Sequence, residues 1–249
     1  MLRTDDDRFS RMRSIECIDP DLIEGCRCLV IGAGALGNET IKDLVLSGFR
    51  NITVVDDDIV SRSNLSRCLF FRECDVKRTK KVRAIMKRAR ELDPEVRLSC
   101  RCSKVQKVKM NGFDLVLGCV DNIEARLHIN AYSRHLSIPY VDGGTHGLRG
   151  RVQVVLQDGP CLQCSMNRTH VREMERHFSC SGEGRYVSPV PSDITTTAVI
   201  AAIMVREGMK IASGMEGMCM KDVCFYDGRR STMETLEVSI DRDCPNHGG

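Results

Sequence analysis

The stretch RCLVIGAGALGNE, residues 27–39, decides the fold. Arg27–Ile31 is a short apolar run of buried-strand length, and it breaks into Gly32-Ala33-Gly34-Ala35-Leu36-Gly37. From Leu36 to Ser47 the apolar residues return at helical spacing. Strand, glycine turn and helix in immediate succession let a backbone come close to a phosphate. The helix N-terminus there offers free N–H groups and a partial positive charge. Asn51–Asp56 (NITVVD) is β-branched and ends in an acid 19 positions after Gly37, where a carboxylate reaches ribose hydroxyls. Gly32, Gly34 and Gly37 with Asp56 therefore predict a nucleotide site. A tight turn without a ligand would explain the glycines but not the acid. The glycines alone do not choose the nucleotide.

The alternation continues on the C-terminal side. Thr79–Glu91 reads as a basic helix stopping before Asp93-Pro94, Leu115–Cys119 as a buried strand, Ile123–His135 as a helix, and Pro139–Asp142 as a strand followed by Gly143-Gly144. This order gives a parallel sheet with helices on both faces. The second half changes character. Arg151–Leu156 alternates as an exposed edge strand would, Phe178–Ser192 is a polar Gly/Ser/Pro-rich stretch read as a mobile loop, and Ile194–Ala212 has helical spacing. Val223–Tyr226 and Thr235–Ile240 read as a late antiparallel pair.

Composition narrows the function. A chain of 249 residues can bury one large α/β core, and 42% hydrophobic against 29% charged residues is the balance of a soluble globular protein. A formal charge of +3 gives no reason to expect nucleic acid or a membrane surface as partner. No apolar run approaches the ~20 residues of a membrane span, and the charged start MLRTDDDRFSRMRS does not read as a secretory signal. The expected location is the cytoplasm or nucleus. Thiols stay reduced there, so the fourteen cysteines read as free thiols, metal ligands or a nucleophile rather than disulfides.

The residues after Asp56 favour ATP over a nicotinamide cofactor. Asp57, Asp58, Asn64, Arg67 and Lys80 follow it, and an Arg with a Lys converging on one loop suits a triphosphate and a pyrophosphate leaving group. Asp121, with Asn122 beside it after the Leu115–Cys119 strand, falls at the carboxyl edge of the sheet, where an acid can hold Mg²⁺. Taken alone, Lys80 sits among Lys77, Arg78, Lys81 and Arg83 and reads equally as solvated surface.

Cys161-Leu162-Gln163-Cys164 and Cys244-Pro245-Asn246-His247 are two turn-like pairs that together supply four ligands for a closed tetrahedral zinc site. The expected fold is thus α/β: a Rossmann-like mixed sheet, parallel in its first half, with helices on both faces and a C-terminal zinc-bound antiparallel part. It forms one domain over 1–249, with an N-terminal arm at 1–25, a nucleotide-binding core at 26–150 and a zinc and crossover-loop part at 151–249.

GAGALGNE, DDDIVSRSNLSRCLFF, DVKRTKKV, GCVDNIEAR and VDGGTHGLRGRV, taken in order, resemble the ThiF/MoeB/ubiquitin-activating-enzyme superfamily. An aspartate, Asn eight positions on, Arg three further and Lys thirteen further form a pattern that dehydrogenases lack. The family usually has Gln after the arginine, Pro before the lysine and four zinc cysteines. This chain has Cys68, Thr79 and His247 there.

The resemblance implies adenylation of the C-terminus of a ubiquitin-like modifier, with Asp56 on the ribose, Asn64, Arg67 and Lys80 on the phosphates, and Asp121 on Mg²⁺. Arg8-Phe9-Ser10-Arg11 resembles the family's R-Y-x-R, so Arg11 would reach the ATP of a partner subunit, in a homodimer or a heterodimer with a related subunit. Cys180, 16 positions past Cys164, occupies the slot of the family's thioester nucleophile, and Arg172, Arg176 and His177 near it would favour thiolate. A conjugating enzyme would be a further partner. Without an added ubiquitin-like or cysteine domain, the chain reads as a minimal activating enzyme or the catalytic half of a heterodimer. The alternatives are a MoeB/ThiF-like sulfur-carrier adenylyltransferase without a thioester step, a tRNA-modifying relative, a non-catalytic subunit and an NAD-linked oxidoreductase.

Overall fold

The structure is a computed structural model, and it describes residues 8–165 and 191–247. In chain order its elements are α1 (Pro20–Gly25), β1 (Arg27–Ile31), α2 (Ala35–Leu46), β2 (Asn51–Val55), α3 (Lys81–Leu92), β3 (Arg97–Arg101), β4 (Leu115–Gly118), α4 (Ile123–His135), β5 (Tyr140–His146), β6 (Arg149–Val155), α5 (Ile194–Ala212), β7 (Val223–Asp227) and β8 (Thr232–Leu236). The strands form one sheet in the order β3-β2-β1-β4-β5-β6-β7-β8. β3, β2, β1, β4 and β5 are parallel, and β6, β7 and β8 add on antiparallel.

The central strand β1 shows why helices cover both faces. Its Cys28 and Val30 join a core with α2, α3 and α5, while Leu29 and Ile31 join a second core with Ala125 and Ile129 of α4. A strand buried on both sides reads as a continuous apolar run, as CLVI does. Ile31 aligns with Val55 of β2 and with Gly118 of β4, so the three strands end together. The chain leaves β1 toward β2, and β4 lies on the other side. That is the topological switch point, where a crevice opens beyond the carboxyl ends of the strands.

Three elements differ from the sequence reading. β6 is an interior strand between β5 and β7, not an edge. The misleading residue is Gln153, polar but buried, whose amide donates to Cys161 O (3.3 Å) and accepts from Ser165 Oγ (3.2 Å). β8 lies at Thr232–Leu236, earlier than Thr235–Ile240. A tight reversal pairs Asp227 with Thr232, and all five strand residues are exposed, so no buried face set a pattern. β3 was not anticipated, because RLSCR buries only Leu98 among its five residues; its ladder to β2 and the Arg97 N to Arg50 O bond (2.7 Å) hold it. Among the described residues no helix is long and apolar enough to cross a membrane.

The longest helix among the described residues, α5, is capped by Asp193, whose carboxylate accepts from Thr196 N at 2.8 Å and from Thr195 Oγ1. The Thr195 hydroxyl and the Thr196 amide hold this carboxyl down at about 2. Asp193→Ala is expected to cost about 1 kcal/mol, or roughly 2–4 °C in melting temperature for a chain of this size. The folded carboxyl lies below its unfolded value of ~3.9. The contribution is therefore full above that value and is lost as pH falls through about 2. The difference between the two melting curves should be equal at pH 7 and 5 and smaller at pH 3; a difference independent of pH would contradict the cap.

Candidate functional site

A cavity of about 630 Å³ opens at the switch point, floored by Ile31, Val55 and Cys119 at the strand ends. The glycine loop forms its inner wall. Gly32 has φ +101°, and a Cβ there would sit 2.5 Å from Cys119 O. A Cβ on Gly37 would meet Gly32 O at 2.0 Å. Gly34 differs, since nothing lies within 4 Å of where its Cβ would be, and it lines the cavity. The loop is locked by buried Asn38, which donates to Ala33 O (3.1 Å) and Gly34 O (2.9 Å) and accepts from Phe70 N (3.0 Å). Sequence reasoning assigned Asn38 nothing; its partner Phe70 is 32 positions away.

Asp56 stands at the end of β2. One carboxylate oxygen accepts from Ala33 N and the other from Asp58 N, both at 2.8 Å, so the acid is aimed by the loop it faces. Burial pushes its carboxyl above the ordinary value, against the pull of Lys81. Asn64, which accepts from Ser61 N at 2.9 Å, and half-buried Arg67 line the same wall.

The two adjacent lysines separate. Lys80 caps α3 and donates to the backbone oxygen of Asp57, and it is not among the residues lining the cavity. Lys81 does line it, with Nζ 2.7 Å from Asp58 Oδ2. Burial alone would lower the Lys81 amine, but the Asp56 and Asp58 carboxylates hold it above its ordinary value, so it stays charged.

The opposite wall carries Val120, exposed Asp121 and Asn122. Asn122 has a local duty as well, since its side chain caps α4 by accepting from Ala125 N at 2.8 Å. Behind this wall lies a buried ion cluster that the sequence did not reveal. Asp142 of β5, fully buried, accepts from Tyr140 OH (2.7 Å), Arg126 Nη1 (2.6 Å) and Arg151 Nη2 (2.8 Å). Arg126 and Asp142 were visible only as letters of motifs, because their pairing joins a helix to a strand.

On the α4 side of the sheet, the ligand atoms of Cys161, Cys164, Cys244 and His247 lie within 4.8 Å of one another. The Sγ of Cys161 is 3.8 Å from that of Cys164 and 3.6 Å from that of Cys244. A tetrahedron with metal–sulfur bonds of about 2.3 Å puts its corners about 3.8 Å apart. Burial, with Cys161 alongside, pushes the Cys244 thiol up to about 12, while hydrogen bonds from Asn130 and the following backbone amides hold the Cys161 thiol below its ordinary value against burial. Among the described residues His247 Nε2 is buried without a partner, and burial together with Arg134 keeps the ring below its ordinary value and hence neutral. The site fits a tetrahedral divalent ion.

The arm is pinned away from the cavity. Arg8 donates to Leu92 O (2.7 Å) and pairs with Asp93 (3.5 Å), and the Phe9 ring lies 3.2 Å from where a Gly48 Cβ would be. Arg11 follows, exposed and not among the cavity-lining residues. Cys180, Arg172, Arg176 and His177 lie outside the described residues. Among the described thiols, burial pushes those of Cys68 and Cys119 up to about 12 and that of Cys28 well above its ordinary value, which makes them poor nucleophiles.

A glycine-walled cavity at the switch point of a mixed sheet, with helices on both faces, defines an α/β domain of the Rossmann type. The particular family is set by sequence: the ThiF family profile matches residues 13–246, and this chain belongs to the ThiF family. Among curated relatives, it is 30% identical over 254 residues to the SAMP-activating enzyme E1 of Haloferax volcanii, covering 96% of this chain and 87% of that one. It is 36% identical over 163 residues to the NEDD8-activating enzyme E1 catalytic subunit of Arabidopsis thaliana, covering 59% of this chain and 36% of the relative. Against the SUMO-activating enzyme subunit 2 of Dictyostelium discoideum the identity is 33% over 150 residues, and the match spans 58% of this chain and only 22% of the relative. E. coli MccB, solved with AMPCPP and MccA, shares the fold with a TM-score of 0.82 at 17% identity, covering 100% of this chain and 76% of that one.

Proposed function

We propose that the chain adenylates the C-terminal carboxylate of a ubiquitin-like protein. The observation that carries this reading is the convergence of Asp56, Arg67, Lys81 and Asp121 around the open face of Gly34 in one cavity. A carboxylate oxygen attacks the α-phosphorus of ATP. The bond from that phosphorus to the bridging oxygen of the β-phosphate breaks, and pyrophosphate leaves with the electron pair. The product is an acyl-adenylate. The nucleophile arrives already ionised, so no general base is needed, and positioning with charge neutralisation supplies the rate. Asp56 takes the ribose hydroxyls, the loop N–H groups and Asn64 orient the phosphates, and Arg67 and Lys81 neutralise them. Lys81 is placed ahead of Lys80, which stays beside the cavity on the Asp57 backbone oxygen, as the lysine that meets the phosphates. Asp121 is the residue that would hold Mg²⁺, which supplies further neutralisation when bound. Arg11, exposed and outside the lining of its own cavity, would serve the site of a second subunit, a copy of this chain or a relative.

Zinc at Cys161, Cys164, Cys244 and His247 would be structural. With four protein ligands it would have no open position. It would tie the Cys161–Cys164 turn to the Cys244–His247 turn.

The named relatives activate SAMP, SUMO and NEDD8. By likeness to them, the adenylate would pass to a thiol, with Cys180 as acceptor: its sulfur attacks the acyl carbon, AMP departs and a thioester remains. The sulfur-carrier reading stops at the adenylate.

ATP–pyrophosphate exchange in the presence of a modifier tests the first step. Losing a charged contact to phosphate costs about 1.5–3 kcal/mol, so Lys81→Ala should lower kcat/KM for ATP at least roughly tenfold, with Lys80→Ala within about threefold. The reverse ranking would restore Lys80. Cys180→Ala should keep the exchange and lose only a thiol-sensitive conjugate on a non-reducing gel. A wild-type chain that never forms that conjugate, while exchanging normally, favours the sulfur-carrier reading. Metal analysis should find about one zinc per chain, and Cys161→Ser should lower the melting temperature because metal binding is coupled to folding. A metal-free chain of unchanged stability would remove zinc from the account.

A further inference from the structure

Asp121 carries a task but little support of its own. Its side chain is exposed, and among the described residues the hydrogen-bond contact of its carboxylate is a long one, 3.5 Å to Asn122 Nδ2. Its direction is therefore set by the backbone on either side. C-terminally, Asn122 is fixed as the cap of α4. N-terminally, the Val120 carbonyl accepts from Arg126 Nη2 at 2.6 Å.

Arg126 lies in the first turn of α4 and is buried, yet it is one of the residues lining the cavity. Its other terminal nitrogen is anchored on Asp142, which belongs to the sheet and is held by Tyr140 and Arg151 as well. Two glycines leave room for this arrangement. A Cβ on Gly144 would sit 2.8 Å from Arg126 Nη2, and one on Gly118 would sit 2.4 Å from Tyr140 Oη. A buried ion pair is weak evidence of a stabilising role, since desolvation offsets most of its attraction. Here the guanidinium bridges a sheet carboxylate to a loop carbonyl, a two-pronged geometry that a lysine cannot reproduce.

We infer that Arg126 is a positioning residue for Asp121: anchored on Asp142, it clamps the Val120 carbonyl and so fixes the Asp121 carboxylate toward the cavity. The inference rests on the reading of Asp121 as the acid that holds Mg²⁺. Mg²⁺ demands near-ideal octahedral geometry and takes few protein ligands. A carboxylate free to wander by a fraction of an ångström would therefore hold it less well.

The test measures the Mg²⁺ concentration that half-saturates the thermal shift of the full chain in a non-hydrolysable ATP analogue. The same titration is then run on pyrophosphate exchange. Residues behind a metal ligand typically contribute 10–100-fold to metal affinity. Arg126→Lys should raise the half-saturating concentration at least about tenfold, and binding of the analogue in EDTA should stay within about twofold. Asp142→Asn, which keeps the side-chain volume but loosens the anchor, should move it in the same direction and stands in should Arg126→Lys fail to fold. Arg50→Lys breaks a different buried pair, with Asp93, and should leave the Mg²⁺ dependence unchanged. If Asp121→Ala shifts the Mg²⁺ dependence and neither Arg126→Lys nor Asp142→Asn does, the positioning role is overturned. A drop by one factor at every Mg²⁺ concentration, which a merely structural role would give, overturns it too. If Asp121→Ala itself leaves the dependence unchanged, the assignment of Asp121 fails, and the inference with it.

Discussion

Gly32 presses its bare Cα against the carbonyl of Cys119, and the site depends on that contact. Its φ of +101° turns the chain out of β1, and its missing side chain lets β1 and β4 end side by side without a Cβ between them. Gly37 then lies over the Gly32 carbonyl, which starts α2 at once and directs its N-terminus into the crevice. A methyl group at either position would meet backbone at 2.5 Å or less, so the strands or the helix would have to move. Gly34, between them, is under no such pressure, and its open face is where a ligand's phosphates can come close.

Charge is organised around that opening in two ways. On the β2 side Asp57 and Asp58 are exposed, and Lys81 pairs with Asp58 at 2.7 Å. On the β5 side Asp142, Arg126, Tyr140 and Arg151 form a buried cluster in which the carboxylate meets three donors. The family relationship and this geometry support each other, although the MccB likeness at 17% identity speaks for the fold alone.

What the sequence disclosed is what covalent spacing controls. The strand, the glycines and Asp56 are a local unit, and the cavity walls contain Gly32, Gly34, Asp56, Asp58, Asn64, Arg67, Asp121 and Asn122, all read from spacing or motif. The cysteine–histidine cluster was legible because each pair sits on its own tight turn, closed by Cys164 N to Cys161 O (3.1 Å) and His247 N to Cys244 O (3.0 Å). Two things were not legible. Gln153 and Arg126 are polar residues inside the protein, and their partners, Cys161 O and Asp142, come from other elements. β3 and β8 are edge strands with little or no buried face, so their placement follows from the ladder beside them rather than from their own composition.

Adenylation breaks the bond at the α-phosphorus of ATP, and every role proposed for the cavity follows from that. Phosphorus NMR of a reaction containing the chain, Mg²⁺, ATP and a modifier with a free C-terminus tests it most directly. The account predicts pyrophosphate together with an acyl-adenylate that decays to AMP, and no product when the C-terminus is amidated. Release of ADP and inorganic phosphate, or ATP left intact while a nicotinamide cofactor turns over, would contradict it.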